Sequence, residues 1–161
     1  MLWQDRPRFR VFRILLPGSA SRSRTHSSLD TRNSSLTRLV SRLELFLDGS
    51  PVCFDLRILA LDQCTDFRRR ALLAESRVPR GRVTTYARLA ARVGAPSSAR
   101  AVGRALATNP FPLVIPCHRA IRSDGSPGGF QGGLTMKRAL LEQEDIRFSP
   151  SGRVVLDQPF F

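Results

Sequence analysis

The chain has 161 residues, of which 42% are hydrophobic and 24% are charged, the composition of an ordinary globular protein. This length is sufficient for one medium domain or two small ones. No apolar run approaches the roughly 18–20 residues of a membrane-spanning helix. The first residues also lack the short apolar block of a secretory signal. We therefore expect no association with a membrane.

Basic residues are concentrated in the second half of the chain. Lysine and arginine number 26 against 13 acidic residues, which gives a net charge of +13. Residues 65–148 carry 15 basic and 6 acidic residues, whereas residues 1–64 carry 10 and 6. A basic domain is typical of proteins that bind nucleic acid, although such a charge can also serve only to keep a protein in solution.

The three cysteines, Cys53, Cys64 and Cys117, lack the even number and regular spacing of a disulfide framework. They indicate a reducing compartment, in which thiols stay free. The sequence has only two histidines and no pair of cysteines separated by two residues. We therefore predict no metal site, and in particular no zinc site.

The first 63 residues are predicted to form a small α/β unit with few strands. Alternating apolar residues predict a strand over residues 9–16, and the polar stretch at 19–35 is predicted to be a loop. Its Arg-rich and Ser-rich composition is also that of an organellar transit peptide. Residues 36–47 have the helical period, and residues 52–59 form a second predicted strand. The helix is expected to bury Leu36, Leu39, Val40, Leu43 and Leu47.

Three short helices are predicted next, over residues 66–76, 85–92 and 98–108. Gly94 lies between the last two, and a tight turn between two short helices is typical of a helix-turn-helix. The same spacing also occurs in helices that merely pack together. The capping candidates are Thr65 or Asp66, Thr84 or Thr85, and Ser97 or Ser98. The first helix is expected to bury Phe67, Ala71, Leu72 and Ala74.

The most informative stretch is residues 109–119 (NPFPLVIPCHR). Its three prolines fix the backbone and remove hydrogen-bond donors, which suits a segment that holds one side chain rigidly. Cys117 follows the last proline and precedes His118. A nearby imidazole favours the thiolate, which is the reactive form of cysteine. Alternatively, Cys117 is a small buried residue of the core.

The next segment contains five glycines within residues 125–133, around Phe130 and Gln131. Such a loop can bring its backbone close to a ligand, although a generic flexible loop has the same composition. A last amphipathic helix is predicted over residues 134–144. Glu144 at its end is either a solvated carboxylate or a group that orients a histidine. The helix is expected to bury Leu134, Ala139, Leu140 and Leu141.

These motifs resemble those of the O6-alkylguanine-DNA alkyltransferases, also called methylated-DNA–protein-cysteine methyltransferases. Residues 116–119 (PCHR) are similar to the active-site signature of that family. The likeness extends from about residue 67 to residue 148, and residues 1–63 are only loosely similar to the family's variable N-terminal domain. The matching segments, in the family's order, are VPRG (78–81), TY (85–86), ARAVG (99–103), NP (109–110) and GGL (132–134).

The resemblance implies a catalytic role for five positions. Cys117 would accept the alkyl group, and His118 would deprotonate it through a water molecule while Glu144 orients the imidazole. Tyr86 would hydrogen-bond the base and supply a proton to it. Asn109 would brace the turn that leads to the active-site segment.

The resemblance also implies contacts to DNA and to the base. Arg100 would enter the base stack in place of an extruded nucleotide, because the family places this helix in the minor groove. Small residues let the helix approach the DNA backbone closely, and the implied ones are Ala99, Ala101 and Gly103. The other implied DNA contacts are Thr85, Arg104 and Arg119. The implied pocket residues are Phe130, Gln131, Ala120 and Leu106.

Phe130 departs from the pattern of the family, in which many members have tyrosine at this position of the glycine-rich loop. The phenyl ring preserves an aromatic wall, but a hydroxyl group is lost. The backbone amides of Phe130 and Gln131 can still face the O6 atom. We expect altered pocket polarity rather than lost activity.

We therefore predict an α/β N-terminal remnant (residues 1–63), a mainly α, winged-helix-like helix-turn-helix alkyltransferase domain (64–150) and a C-terminal tail (151–161). The predicted function is DNA repair by a single, irreversible transfer of an alkyl group from O6-alkylguanine to Cys117. No cofactor is implied, because a thiolate attacks the alkyl carbon directly. The expected partner is double-stranded DNA containing O6-alkylguanine. We expect a monomer in the cytoplasm, associated with the nucleoid in a prokaryote, or in the nucleus of a eukaryote.

Three other interpretations remain open from the residues alone. A lesion-sensing DNA-binding protein would have the same helix-turn-helix and would not depend on Cys117. A cysteine hydrolase built on Cys117 and His118 would turn over repeatedly, but the two residues of hydrolase dyads are usually distant in sequence. A purely structural remnant would account for the thin N-terminal half.

Overall fold

The computed structural model describes residues 9–16, 34–155 and 159–161. Most of the polar stretch predicted as a loop, residues 19–33, lies outside the described residues, and residues 34 and 35 begin a helix. The helices are α1 (Ser34–Leu47), α2 (Asp66–Glu75), α3 (Tyr86–Arg92), α4 (Ala99–Ala107) and α5 (Gly133–Gln143). The strands are β1 (Thr84–Thr85) and β2 (Ala120–Ile121), and the 3-10 helices are Leu56–Ile58, Leu61–Gln63 and Cys117–Arg119. The protein is thus mainly helical in its described part, and none of the helices there is long and apolar enough to cross a membrane.

The two strands predicted in the N-terminal part are not formed as strands. Residues 9–16 and 52–59 meet only in one parallel bridge, between Val11 and Leu59. The side chain of Asp55 accepts a hydrogen bond from the backbone nitrogen of Arg57 at 3.0 Å, and this cap starts a 3-10 helix where the second strand was predicted. Local capping therefore overrides the alternating pattern.

Helix α1 turns the predicted face inward except at its end, since Leu36, Val40 and Leu43 are partly buried but Leu47 is not. It buries Leu39 as expected, but the second buried residue is Phe46, and Leu47 is 46% exposed. Phe46 packs near Leu140 of α5, so α1 lies against the C-terminal half. Phe46 shares this face with Leu39 and Leu43, one helical turn after Leu43.

Helices α2, α3 and α4 pack against one another. Thr85 caps α3 by accepting a hydrogen bond from the backbone nitrogen of Arg88 at 3.2 Å. Gly94 ends that helix with a φ of +73°, which glycine adopts without strain. Thr65 and Ser98 occupy the N-cap positions of α2 and α4, but their side chains make no capping hydrogen bond. The fully buried residues of this core include Ala71, Leu72, Leu89, Ala90 and Val102.

A parallel pair of two-residue strands joins the helix-turn-helix to the segment after the cysteine. Thr84 pairs with Ala120, and Thr85 pairs with Ile121. The sequence analysis did not predict this pair, because strands of two residues contain no measurable alternation. The pairing places the start of α3 directly beside the residues that follow Cys117.

Helix α5 covers the same segment from the other side, but its buried face was only partly predicted. Leu140 and Leu141 are buried, whereas Leu134 is 60% exposed and Ala139 is also exposed. Lys137, one turn before Leu141, is fully buried in their place. The prediction of Leu134 and Ala139 was wrong because the face that α5 buries includes Lys137, whose ammonium group donates to the carbonyl of Ala120.

The described residues of the tail pack onto this domain. Val154 is buried and forms an antiparallel bridge with Phe148. Farther on, the backbone nitrogen of Phe160 donates to Val83 at 2.7 Å, and the hydroxyl of Thr84 donates to Phe160 at 2.8 Å. The chain end is therefore tied to β1.

Candidate active site

Asn109 organises the backbone that leads to Cys117. Its side-chain oxygen accepts a hydrogen bond from the nitrogen of Phe111 at 2.9 Å, and its Nδ2 donates to the carbonyl of Ile115 at 3.2 Å. The same Nδ2 lies 3.3 Å from the sulfur of Cys117. Residues 111–121 are all buried, and the Asn109 amide supplements the backbone hydrogen bonds of this irregular segment by accepting from the nitrogen of Phe111.

The Cys117 side chain is 4% exposed and begins the 3-10 helix Cys117–Arg119. Burial raises the pKa of its thiol to about 11, because an apolar environment disfavours the thiolate. The hydrogen bond from Asn109 and the positive charge of Lys137 act in the opposite direction, whereas the charge of Glu75 adds to the rise. Formation of the thiolate at neutral pH therefore needs a proton acceptor.

His118 and Arg119 both bind the carboxylate of Glu144. Atom Nε2 of His118 lies 3.2 Å from Oε1 of Glu144, and Arg119 donates to both carboxylate oxygens at 2.6 and 2.8 Å. Burial acts to raise the pKa of Glu144, but hydrogen bonds from His118 and Arg119 outweigh it and lower the pKa to about 2. Glu144 is therefore an ionised, acceptor-only group. This resolves the two alternatives left by the sequence in favour of a buried carboxylate that contacts a histidine.

The charge of Glu144 determines which nitrogen of His118 carries a proton. Since the carboxylate only accepts, Nε2 of His118 donates to it. Burial lowers the pKa of His118, so the ring is neutral and its other nitrogen, Nδ1, has a free lone pair. Nδ1 has no hydrogen-bond partner among the described residues. His118 is thus arranged as a base through Nδ1.

Aromatic side chains enclose the imidazole. The ring centroid of Phe46 lies 5.9 Å from that of His118, and the ring of Phe130 lies 6.3 Å from it on an edge-on geometry. Gln131, which follows Phe130, donates to the backbone oxygen of Asn109 at 2.6 Å. The glycine-rich loop therefore closes over both His118 and the turn before Cys117.

A groove of about 590 Å³ runs along α4 on the outside of this site. One wall consists of α4 and the other of the loop around Ser123 and Gly128, with Tyr86 between them. Gly128 is essential to this arrangement, since a Cβ atom there would lie 2.6 Å from the hydroxyl of Tyr86. Burial raises the pKa of Tyr86 to about 12, so its phenol stays protonated. The α4 residues that line the groove are Ala99, Arg100, Gly103, Arg104 and Ala107.

The structure does not place every predicted residue at this groove. Ala101 lies on α4 and is exposed, but it is not part of the groove lining. Thr85 is 5% exposed and caps α3, which differs from its expected contact with DNA. Arg119 differs in the same way, because it is 9% exposed and its guanidinium is taken up by Glu144 and by the carbonyl of Val78.

Two of the expected pocket residues are core residues in this structure. Leu106 is 4% exposed and belongs to the main hydrophobic core, and Ala120 is fully buried in β2. Ala107, next to Leu106, lines the groove, and Arg119, next to Ala120, belongs to the 3-10 helix of Cys117. The side chains of Leu106 and Ala120 themselves are buried in the core. The resemblance to a family assigned them by position, and position alone does not show which way a side chain points.

Two buried charged residues near the cysteine were not predicted as part of the site. Glu75 and Lys137 are both fully buried. Each is in phase with the buried side of its own helix. Glu75 lies one turn after Ala71 and Leu72, and Lys137 lies one turn before Leu141. A charged residue in phase with an apolar face was the available signal. Among the described residues, no group of three or more His, Cys, Asp or Glu side chains is placed to hold a metal ion.

Fold and site together define a class: a mainly helical protein with a groove of small and basic residues along α4 and a buried cysteine that directly precedes a buried His–Glu pair. Residues 66–146 match the sequence model of the family described as "6-O-methylguanine DNA methyltransferase, DNA binding domain". This segment is half of the chain. The chain belongs to the family of methylated-DNA–protein-cysteine methyltransferases, as the resemblance predicted.

Individual relatives agree with this assignment. The methylated-DNA–protein-cysteine methyltransferase of Methanothermobacter thermautotrophicus is 50% identical over 111 residues, which are 69% of this chain and 62% of the relative. The protein of the same name from Mycobacterium tuberculosis is 36% identical over 135 residues, or 84% of this chain and 79% of the relative. A crystal structure of Mycobacterium tuberculosis OGT in complex with DNA superimposes with a TM-score of 0.62 at 38% identity, over 68% of this chain and 66% of that one. The chain thus matches just under two thirds of the first relative and of the solved structure.

Proposed function

We propose that this protein repairs O6-alkylguanine in double-stranded DNA by transferring the alkyl group to Cys117. The observation that carries the proposal is the neutral imidazole of His118, which follows the buried Cys117 in the chain, binds Glu144 through Nε2 and has no partner for Nδ1 among the described residues. The names of the relatives, and the DNA in the solved structure of one of them, support the same substrate.

The transfer begins when the thiol of Cys117 loses its proton to Nδ1 of His118 through a bridging water molecule. Glu144 stabilises the imidazolium that forms, as a carboxylate stabilises a protonated base. The thiolate then attacks the alkyl carbon in line with its bond to O6. An S–C bond forms, and the C–O6 bond breaks with its electron pair on guanine.

The leaving guanine takes up one proton, which balances the proton lost by the thiol. Tyr86 lines the groove as a protonated phenol and supplies this proton, and the imidazolium of His118 then returns the thiol proton to the Tyr86 phenolate through water, so that both residues end neutral. No external acid, base or redox partner is consumed. The product is a thioether, which has no carbonyl that water can attack, so each molecule reacts once.

The target atom is inside the duplex, so the nucleotide must be extruded before the reaction. Arg100 on α4 is exposed at the groove and takes the place of the extruded nucleotide in the stack. Arg104 contacts phosphate one turn later. The small residues Ala99 and Gly103, each directly before one of these arginines, allow α4 to approach the minor groove.

The proposal includes the domain organisation. Residues 64–150 form the helix-turn-helix, winged-helix-like alkyltransferase domain, residues 1–63 form a reduced N-terminal domain, and residues 151–161 form a tail. The family match over residues 66–146 supports the first assignment. A protein with this function works at the DNA, that is, at the nucleoid in a prokaryote or in the nucleus in a eukaryote, and acts as a monomer.

The test is the intact mass of the protein after incubation with a duplex that contains O6-methylguanine. We expect a gain of one methyl group that stops at one equivalent and maps to Cys117. Cys117→Ser is expected to bind the duplex without gaining mass. Cys53→Ser is the matched control, since Cys53 is an exposed cysteine outside the site and its loss leaves the transfer unchanged. DNA binding without any mass gain in the unmodified protein overturns the proposal and favours a lesion sensor.

A further inference from the structure

A buried carboxyl group without a partner lies at the end of α2. Glu75 is the last residue of that helix and is fully buried. Neither of its carboxylate oxygens has a hydrogen-bond partner among the described residues. Because an ionised carboxylate without partners is costly to bury, this geometry favours the neutral acid.

A buried lysine on α5 has the complementary property. The Nζ atom of Lys137 lies 2.6 Å from the carbonyl oxygen of Ala120, 2.5 Å from that of Pro127 and 3.5 Å from that of Gly129. An ammonium group has three donors, and these three carbonyl groups match them. The contacts of Lys137 in the described structure are therefore with neutral acceptors, and its charge is not cancelled by an adjacent carboxylate.

Both residues act on the reactive cysteine. Helices α2 and α5 each pack against the 3-10 helix that begins with Cys117. The positive charge of Lys137 favours the thiolate of Cys117, and a negative charge on Glu75 disfavours it. The protonation state of Glu75 therefore determines the net charge of the Glu75–Lys137 pair near the sulfur of Cys117.

We propose that Glu75 is a positioning residue that sets the charge behind Cys117. As a neutral acid it leaves the ammonium of Lys137 free to stabilise the thiolate, and as a carboxylate it cancels that charge. The proposal rests on the proposed function for its consequence in repair, but its electrostatic part concerns the thiol itself.

The surrounding charged groups are consistent with this role. Arg119 of the 3-10 helix also acts on Glu75, but its guanidinium is already paired with Glu144. From α3, Tyr86 faces Glu75 as a neutral phenol. Helix α4 contributes no buried charge, since its charged side chains, Arg100 and Arg104, are exposed.

The expected transition lies just above neutral pH. Burial raises the pKa of Glu75 to about 8, and burial lowers the pKa of Lys137 to about 8. Below this pH the pair carries one positive charge. Above it both groups lose their protons, and the pair ends with one negative charge, which opposes the thiolate.

The experiment compares the unmodified protein with Glu75→Gln between pH 6.5 and 9.5. The amide is neutral at every pH and has the shape of the protonated acid. The rate of Cys117 alkylation by iodoacetamide is followed on the Cys117 peptide by mass spectrometry, which separates it from Cys53 and Cys64. We expect equal rates at pH 6.5, and a rate about fivefold higher in Glu75→Gln at pH 9.5. Glu142→Gln, at an exposed carboxylate of α5, is expected to follow the unmodified protein throughout.

Other variants and a second reagent complete the test. Lys137→Met is expected to slow alkylation at pH 6.5, because the stabilising charge is removed. Should Glu75→Gln fail to fold, Glu75→Met provides an uncharged apolar alternative with the same expected profile. Superimposable rate profiles for the unmodified protein and either Glu75 variant overturn the proposal.

The same profile measured with the O6-methylguanine duplex separates this proposal from the proposed function. A Glu75-dependent profile with iodoacetamide but no methyl transfer from DNA keeps the electrostatic role and rejects repair. Methyl transfer from DNA together with an iodoacetamide profile that does not depend on Glu75 supports repair and rejects the electrostatic role. Equal dependence with both reagents supports the two together.

Discussion

The Nδ2 atom of Asn109 lies 3.3 Å from the sulfur of Cys117, while the side-chain oxygen of the same residue binds the backbone of Phe111 at 2.9 Å. One buried amide thus joins the end of α4 to the reactive sulfur. Three prolines limit the backbone in between, so the position of the thiol depends on a side chain rather than on regular secondary structure.

Replacement of Asn109 by alanine is expected to affect both stability and reaction. The buried backbone nitrogen of Phe111 would lose its partner, at a cost of about 1–3 kcal/mol in the free energy of unfolding, whereas the carbonyl of Ile115 keeps its bond from the nitrogen of Cys117. The rate of methyl transfer is expected to fall at least about tenfold, because the sulfur is no longer held. Thr108→Ala is the control, since Thr108 is exposed and its hydroxyl bonds only within its own helix. Transfer at the original rate in Asn109→Ala would show that the amide does not position the thiol.

The Glu144–Arg119 pair predicts a specific acid sensitivity. The pKa of Glu144 is lowered to about 2 in the folded protein and is near the ordinary glutamate value of 4.5 when unfolded. A lowered pKa stabilises the fold above pH 4.5, and this contribution is lost as the pH falls from 4.5 to 2. Neutral His118 adds to the loss below its ordinary pKa, because its own pKa is lowered by burial.

Glu144→Gln is expected to lose about 3 kcal/mol of unfolding free energy at pH 7, because Arg119 is left without its carboxylate. Its stability is then expected to fall less steeply than that of the unmodified protein between pH 4.5 and 2. Denaturant unfolding at several pH values measures both effects. Glu142→Gln serves as the exposed control, and parallel acid limbs for all three proteins contradict the prediction.

The sequence predicted those features of the site that depend on residues close together in the chain. Residues 116–119 and the caps and glycines of the helix-turn-helix are short-range signals, and the structure puts α2 to α5 within about two residues of their predicted bounds. Glu144 was named as either a surface or an orienting carboxylate, and only tertiary packing decided between them. That decision depends on a contact between residues 25 positions apart, which no local pattern encodes.

The other predictions were wrong or incomplete for identifiable physical reasons. Residues 52–59 alternate, but the Asp55 cap curls the chain into a 3-10 helix. Glu75 and Lys137 are buried because neighbouring helices cover them, and charged residues are rarely fully buried without partners. The burial of these two charged residues therefore could not be predicted from the sequence and is known only from the folded structure.

Gly128 and Gly129 form a matched pair for testing the loop over the groove. A Cβ atom at Gly128 would lie 2.6 Å from the hydroxyl of Tyr86, and its φ of +69° disfavours any larger residue. A Cβ atom at Gly129 would meet nothing within 4 Å. We expect Gly128→Ala to lower the rate of methyl transfer at least about tenfold, and Gly129→Ala to leave it unchanged. The rate constants under single-turnover conditions measure this, and equal rates for the two variants would contradict the role of Gly128.

Arg104 tests the orientation of the protein on DNA. It lines the groove on α4 and is exposed, so we expect it to contact one phosphate. Arg104→Ala is then expected to weaken binding of any duplex, damaged or not, and to reduce the salt dependence of log K by about 0.9. Arg138→Ala, which removes an equal charge paired with Glu142 on α5, is expected to change the slope little. Titrations at several salt concentrations measure both slopes, and the reverse ranking would place the DNA on α5.

Glu75 also predicts a loss of stability between pH 4.5 and 8 that is independent of catalysis. Its pKa is raised by burial to about 8 in the folded protein, against 4.5 for the unperturbed group. A raised pKa means that the folded state holds the proton more tightly, so this contribution is complete below pH 4.5 and is lost as the pH rises towards 8. Glu75→Leu removes the titration and an unpaired buried polar group together, and is expected to stabilise the protein by about 1–3 kcal/mol at neutral pH. The difference in unfolding free energy between the variant and the unmodified protein should widen from pH 4.5 to 8 and then level off. A constant difference over this range would mean that Glu75 does not hold its proton in the folded protein.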